Sequence, residues 1–312
     1  MKVNELFSLA IASIKWRKGR SLIATIGVAI AVAATLTIPG IMDSAMNDWN
    51  RVISYYFPNP NMFSVTLCMR VGSGMGGGWS TYMLPIFTKE DINAISNLEG
   101  VEKVYPEVYG GGSFKRDGHS IVTPVWLEIL PKEAIEILVP SDRLLNGVIR
   151  EDAAIFEYDA ALKIFNSTGI VGKNFTFPVQ QGELTVQVGG VLKRVKPPAV
   201  GGMGDINSHV YVPSELIPDY EQVQKYGYIR IIASNNPEEV KDKVVSLLKD
   251  RLEERNVDLM GLDVWALTEK DEMEMLKASM SGFENIAYVI AGFSLFVGMV
   301  VIGVVALSVA YE

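Results

Sequence analysis

The chain has 312 residues, 49% of them hydrophobic and 21% charged, with a formal net charge of −8 and a mean hydropathy of +0.22. The acidic balance argues against general nucleic-acid binding, which needs a basic surface to meet phosphate. A single cysteine, Cys68, excludes an internal disulfide framework and a cysteine-rich zinc site, and two histidines, His119 and His209, leave little material for a histidine-based centre.

The apolar excess lies at the two ends. Residues 3–20 place Leu6, Ala10 and Ile14 on one i, i+4 row and Phe7 and Ile11 on its neighbour, followed by Lys15, Trp16, Arg17, Lys18 and Arg20. This predicts a cytoplasmic amphipathic elbow over 1–20, lying in the inner membrane interface. Residues 22–42 then run without a charge. About 20 residues cover the hydrocarbon core, so 21–42 reads as transmembrane helix 1, with a buried soluble helix as the alternative. The basic cluster Lys15, Arg17, Lys18 and Arg20 orients the span, putting the N-terminus in the cytoplasm at a cell (plasma) membrane. Ala31-Val32-Ala33 resembles a signal cleavage site, but the run exceeds the roughly 7–15 residues of a signal core. Gly27 and Ala31 form a small-xxx-small pair suited to helix pairing in lipid.

Beyond this span, Ile38, Met42, Ala45, Trp49, Val52 and Tyr56 recur at heptad-like spacing, which predicts a stalk over 43–60. Residues 61–71 read as a strand. Gly72-Ser73-Gly74-Met75-Gly76-Gly77 fits G-x-G-x-x-G after it, yet Trp79 to Tyr82 and then Pro85 follow where a phosphate site needs a helix N-terminus. The segment reads instead as a mobile loop, and Gly201-Gly202-Met203-Gly204 as a second. Met75, Trp79 and Met203 are candidate partner-contact residues there, with plain connectors as the alternative. Thr88 caps a helix to about 98, and 101–108 reads as a strand.

The stretch 114–220 is richer in strands, at 121–129, 153–156, 174–179, 184–195 and 209–212, with one helix at 158–165. After a strand at 226–233, Asn236-Pro237-Glu238-Glu239 supplies an N-cap, a first-position proline and acidic first-turn residues for a helix to about 255. Residues 257–267 follow as a strand. Two strand–helix–strand units predict a split βαβ subdomain in 61–113 and 221–268, interrupted by a mostly-β subdomain at 114–220. Met273, Leu276, Met280, Phe283, Ala287 and Ile290 form a second seam, which predicts a stalk helix over 269–285. Amphipathic helices lying on the domain are the alternative for both seams. Residues 286–311 are again uncharged, with Ser294 and Gly298 as a small pair, and read as transmembrane helix 2. The fold class expected is thus an α+β membrane protein, two transmembrane helices with stalk extensions flanking one extracytoplasmic domain over 43–285, whose own net charge is about −11.

No spacing demands chemistry. Asp117, His119, Asp205 and His209 would have to converge to hold a metal, and nothing in their order requires it. No Ser/His/Asp or Cys/His arrangement stands out, so no catalytic, cofactor-binding or metal-ligating residue is expected. Asn166-Ser167-Thr168 and Asn174-Phe175-Thr176 have the form of glycosylation acceptors.

Four segments carry a family resemblance. AIASIKWRKGRSLIATIGVAIAV (10–32) resembles the basic elbow and first membrane helix of MacB/LolC/FtsX-type ABC transporter permeases. TKEDINAISNLEGVEKVYP (88–106) is similar to the first helix and strand of the MacB-like periplasmic core domain, and EDAAIFEYDAALKIFNSTGIVGKNFTF (151–177) to its strand, helix and Val-Gly-Lys turn. GFSLFVGMVVIGVVALSVAYE (292–312) resembles the second membrane helix. The resemblance implies a non-catalytic permease, itself in contact with membrane lipid, that pairs with a second permease copy or paralogue and with an ABC ATPase subunit, and it implies that the split βαβ subdomain is porter-like. ATP would be bound on that partner, with no cofactor on this chain, and ATP-driven motion would pass through stalks to the outer domain. Such permeases carry four membrane helices, so the resemblance also implies that the C-terminal ones are absent here or encoded elsewhere. A scaffold of the FtsX kind, regulating an envelope hydrolase, is the alternative function, and a membrane-tethered enzyme a third.

Overall fold

A computed structural model describes residues 18–71, 78–82, 84–116, 118–179, 182–196, 207–218, 220, 223, 225–259 and 261–310. The chain divides into two compact units, Met1–Asn47 with Leu276–Glu312, and Asp48–Met275. Two helices run through both: α1 (Lys18–Tyr56) of 39 residues and, at the other end of the chain, α6 (Glu269–Ala310) of 42 residues. Each contains one of the uncharged runs. Among the described residues, no helix is long and apolar enough to cross a membrane, so the spanning role of 21–42 and 286–311 rests on the sequence pattern. Pro39 sits inside α1, where it removes one backbone donor.

Between the two long helices the chain forms β1 (Met62–Val71), β2 (Gly78–Tyr82), β3 (Phe87–Thr88), α2 (Lys89–Ser96), β4 (Val101–Arg116) and β5 (His119–Leu130). There follow α3 (Lys132–Leu138), a 3-10 turn (Ser141–Arg143), β6 (Leu144–Gly147), β7 (Ala153–Phe156), α4 (Tyr158–Phe165), β8 (Asn174–Val179) and β9 (Gly182–Leu192). The last group is β10 (His209–Pro213), a second 3-10 turn (Ser214–Leu216), β11 (Lys225–Tyr226), β12 (Tyr228–Ala233), α5 (Pro237–Glu254) and β13 (Asp263–Thr268).

An 11-stranded sheet is ordered β13-β1-β12-β4-β5-β10-β7-β9-β6, with β2 beside β1 and β8 beside β4 and β9. At its first end β1 is antiparallel to both β12 and β13, and β12 is antiparallel to β4. Hence β1 and β4 are parallel with β12 between them, and α2 and α5 each connect two strands that do not touch. This is the split βαβ arrangement. β5 to β10 come from the stretch of chain between β4 and β12. β4 serves both parts: residues 101–107 pair with β12, and 108–116 pair with β5 across a register shift at Gly111/Gly112.

Side chains of a strand alternate between faces, and the alternation places two apolar clusters. Phe63, Val65, Leu67, Ile229, Ile231, Val264 and Ala266 meet Val240, Val244 and Leu248 of α5 in one buried cluster. Leu127, Ile129, Ala154, Phe156, Val188, Val210 and Val212 meet Ala160, Ala161 and Ile164 of α4 in another. Val108 and Tyr220 touch both clusters, so the two cores adjoin on one face of the sheet.

Local signals explain most helix starts. The Thr88 hydroxyl accepts from the Asp91 amide at 3.4 Å while Asp91 accepts from the Thr88 amide at 2.8 Å, a capping box. Asn236 Oδ1 accepts from the Glu238 amide at 3.2 Å, with Pro237 in the first turn of α5. Asn166 closes α4 in the left-handed region at φ 54°, which asparagine tolerates.

Some expectations are corrected. Residues 257–259, 261 and 262 are not strand, because Asn256 (φ 51°) and Gly261 (φ 82°) turn the chain and β13 starts only at Asp263. The strand expected to end at 108 continues to Arg116 because β5 takes over its pairing. α3, after Pro131, had no recognised start signal. The element after the glycine-rich segment is the strand β2, paired with β1.

Gly147 has φ +81°, and a Cβ there would lie 2.1 Å from the Gly189 carbonyl oxygen. Gly147→Ala is therefore expected to destabilise the fold by about 2 kcal/mol or more, read as a lowered urea midpoint with unchanged slope.

Candidate functional site

The opposite face of the sheet carries charge where the first carries hydrocarbon. In β12, β4, β5 and β10, which are adjacent strands, the residues out of phase with the two cores are Arg230, Glu107, Glu128 and His209. Arg230 Nε donates to Glu107, and its second nitrogen donates to Glu128 Oε2 at 3.4 Å. Glu128 Oε1 takes His209 Nδ1 as its other partner. Glu157, just beyond β7, accepts from the His209 amide at 2.9 Å and from the Tyr211 hydroxyl at 3.2 Å. Glu107, Glu128, Glu157 and Arg230 are all buried. The result is a row of five ionisable groups crossing five consecutive strands, three acids and two bases, from the split βαβ half into the inserted half.

The last turn of α1 meets this row. The Tyr56 ring lies 5.9 Å from the His209 ring, and the Tyr56 hydroxyl accepts from the Asn207 amide at 3.4 Å. Arg143 stacks over the Tyr55 ring at 3.1 Å and donates to the Tyr55 carbonyl at 2.7 Å. Asn207 is itself braced, its side chain bonding both the amide and the carbonyl of Val195 at 2.8 and 2.9 Å.

The residues singled out from the sequence fall elsewhere or around this row. Ala45, Trp49 and Val52 of the first seam are buried, and Met273 is partly buried. Met42, Leu276, Met280 and Phe283 lie in the two long helices, and Lys18 and Arg20 at the start of α1, but their side chains are outside the described residues. Trp79 sits in β2 opposite Arg70, its side chain likewise undescribed. Lys15, Arg17, Met75 and Met203 lie outside the described residues, as do Asp117 and Asp205. His119 is exposed at the start of β5, seven residues or about 23 Å along the strand from the residue that pairs with His209. Those two histidines therefore do not converge, and among the described residues no group of three or more His, Cys, Asp or Glu is placed to hold a metal. The charged row itself was missed. Its signal is a lone charge inside an apolar strand, as in Tyr228-Ile229-Arg230-Ile231-Ile232 and Trp126-Leu127-Glu128-Ile129-Leu130.

Comparison with known proteins locates the fold. The family profile of the MacB-like periplasmic core domain matches residues 21–247. The chain belongs to that family. This MacB-like chain is also 23% identical over 310 residues to an uncharacterized ABC transporter permease of Methanocaldococcus jannaschii, covering 96% of this chain and 70% of the relative. Among solved structures, the periplasmic region of MacB from Actinobacillus actinomycetemcomitans is 14% identical with a TM-score of 0.46, covering 70% of this chain and 92% of that one. The extracellular domain of the noncanonic ABC-type transporter YknZ from Gram-positive bacteria is 17% identical with a TM-score of 0.41, covering 65% of this chain and 99% of that one.

In this MacB-like domain burial sets the protonation of the row. Desolvation pushes the Glu107 carboxyl above the ordinary carboxylate range against the pull of Arg230, with Glu128 nearby adding to the rise. Burial opposes the His209 imidazolium, but the carboxylates of Glu128 and Glu157 outweigh it and raise the group to about 9. Glu128, with His209 and Arg230 both beside it, is held below its usual value in spite of desolvation. Tyr55, buried next to Glu157, is pushed up to about 12.

His209 binds its proton more tightly in the folded chain, so its contribution is present in full below about pH 6.5 and is lost as pH rises through about 9. The melting temperature is expected to fall between pH 7 and pH 9.5, and His209→Gln to flatten that fall. Arg230→Met leaves Glu107 without a cation beside Glu128, which keeps only His209, and should cost about 3–5 kcal/mol, while Arg230→Met with Glu107→Leu should recover part of the loss in the same urea titration.

Proposed function

We propose that this chain is the permease subunit of an ABC-type transporter, passing ATP-driven motion along its long helices to an extracytoplasmic domain that exports or extracts substrate. The observation that carries this reading is the seating of the last turn of α1 on the buried charged row, through Tyr55, Tyr56, Arg143 and Asn207. A helix end seated on an ion-paired sheet face carries displacement to that face, because packed interiors yield little to strain. Family membership supports an ATPase partner.

The helices support a membrane location. The uncharged runs 21–42 and 286–311 meet the length that a hydrocarbon core requires, and α6 leaves Val289 71% and Phe293 67% exposed, which suits lipid or a neighbouring helix better than water. The basic cluster before α1 supports a cytoplasmic N-terminus, with 43–285 on the far side. On this reading the chain is a multi-pass membrane subunit that hydrolyses nothing itself. The acidic outer domain does its work by changing shape.

The full chain should co-purify with an ABC ATPase, and spin labels at the exposed Asn50 and Glu274 should change separation when nucleotide binds the assembled complex. A distance indifferent to nucleotide in a complete complex would sink the transport reading. Retention of an envelope hydrolase in place of transport would point to the regulatory scaffold instead.

A further inference from the structure

We propose that the two long helices are fastened to different halves of the domain, with Arg143 and Lys241 as the positioning residues. Displacement of one helix against the other is then delivered as rotation of the inserted half against the split βαβ half. The fastening stands on its own geometry, whereas its use in transmission rests on the permease reading above.

α1 is held by the inserted half. Arg143, in the 3-10 turn after α3, donates one nitrogen to both the Tyr55 and the Leu138 carbonyls and lies flat on the Tyr55 ring. A helix ends with unpaired carbonyls and a partial negative charge, and a guanidinium satisfies both needs at once. Arg143 is itself tied to the end of β9, since the Lys193 amide donates to the Arg143 carbonyl at 2.8 Å and Lys193 Nζ to the Asp142 carbonyl at 2.7 Å. Asn207, the second holder, also caps α4 by accepting from the amides of Asp159 and Ala160 at 2.9 and 3.0 Å. The covalent route from α1 to β1 runs through 57–61, with Pro58 and Pro60, and contains no helix or strand.

α6 is held by the split βαβ half. It starts at Thr268, whose hydroxyl accepts from the Asp271 amide at 3.1 Å and donates to Glu238 Oε1 at 2.9 Å. Lys241 of α5 pairs with Asp271 at 2.6 Å and with Glu238. α5 in turn lies on the core of that half through Val240, Val244 and Leu248. The Ser54 hydroxyl donates to Glu269 Oε1 at 2.9 Å, a direct link between the two helix ends. It is exposed to water, where such a bond is weak, so it does not lock the helices together. The halves themselves are joined where β4 passes from β12 to β5, beside the charged row.

Amide hydrogen exchange on the full chain, without nucleotide, tests the fastening. Arg143→Gln is expected to speed exchange at least about tenfold in 52–57 while leaving 268–275 unchanged, and Lys241→Met to do the reverse. Arg143→Lys, which keeps the charge and loses the flat fork, serves if the glutamine variant fails to fold. Loosening of both helix ends by either variant, or of neither end by its own variant, overturns the proposal. In the assembled complex, with Cys68→Ala as background, labels at the exposed Glu99 and Val171 should follow the Asn50–Glu274 pair on adding nucleotide, and should stop following it in Arg143→Gln. Persistence of that coupling in the variant also overturns it. An Asn50–Glu274 distance that ignores nucleotide, alongside selective exchange, overturns only the permease reading.

Discussion

Burial of Arg230, Glu107, Glu128 and Glu157 in a single row with the partly buried His209 is the constraint on which the rest of this domain depends. An isolated charge moved from water into such an interior is far too costly to persist, so each member must find its partner on the neighbouring strand. That requirement fixes strand register where hydrophobic packing alone would not. Tyr228 stands opposite Glu107, and Tyr109 and Tyr211 both stand opposite Glu128. A one-residue slip of any of these strands would turn its charge into the apolar cores on the other face. The row therefore sets how the inserted half is aligned with the split βαβ half, and it does so at the place where α1 arrives.

Much of this architecture was legible in the sequence, and the reasons are local. The Thr88 box and the Asn236-Pro237 start are chemical instructions complete within four residues, and the helices begin where they say. Heptad spacing marked Trp49 and Val52, which are buried. The charged row was not legible in the same way. Arg230, Glu107 and Glu128 are separated by up to 123 residues in the chain, and only the strand order brings them together. Likewise β4 was read as ending at 108, because the chemistry that extends it belongs to its partner β5. Residues 257–259 misled for the opposite reason, since their pattern suits a strand but Asn256 turns the backbone away before them and Gly261 after.

The two long helices reach this domain by different chemistries. α1 ends on a cation stacked over an aromatic ring and on main-chain hydrogen bonds, neither of which depends on a titratable partner. α6 begins inside a cluster of Lys241, Asp271 and Glu238, where salt screens part of the attraction. One joint is thus insensitive to ionic conditions and the other responds to them.

β4 has a consequence for how such domains are dissected. Its 16 residues form a common beam, with one end laid in the ladder of the split βαβ half and the other in that of the inserted half. A chimera cut at 113/114 would sever this beam, leaving the graft without its first strand and the host with a frayed edge. The inserted half is therefore not an exchangeable cartridge, and homologous grafts must carry the whole of β4 together with β12. Recombination between relatives is confined, on the same grounds, to crossovers outside 101–116.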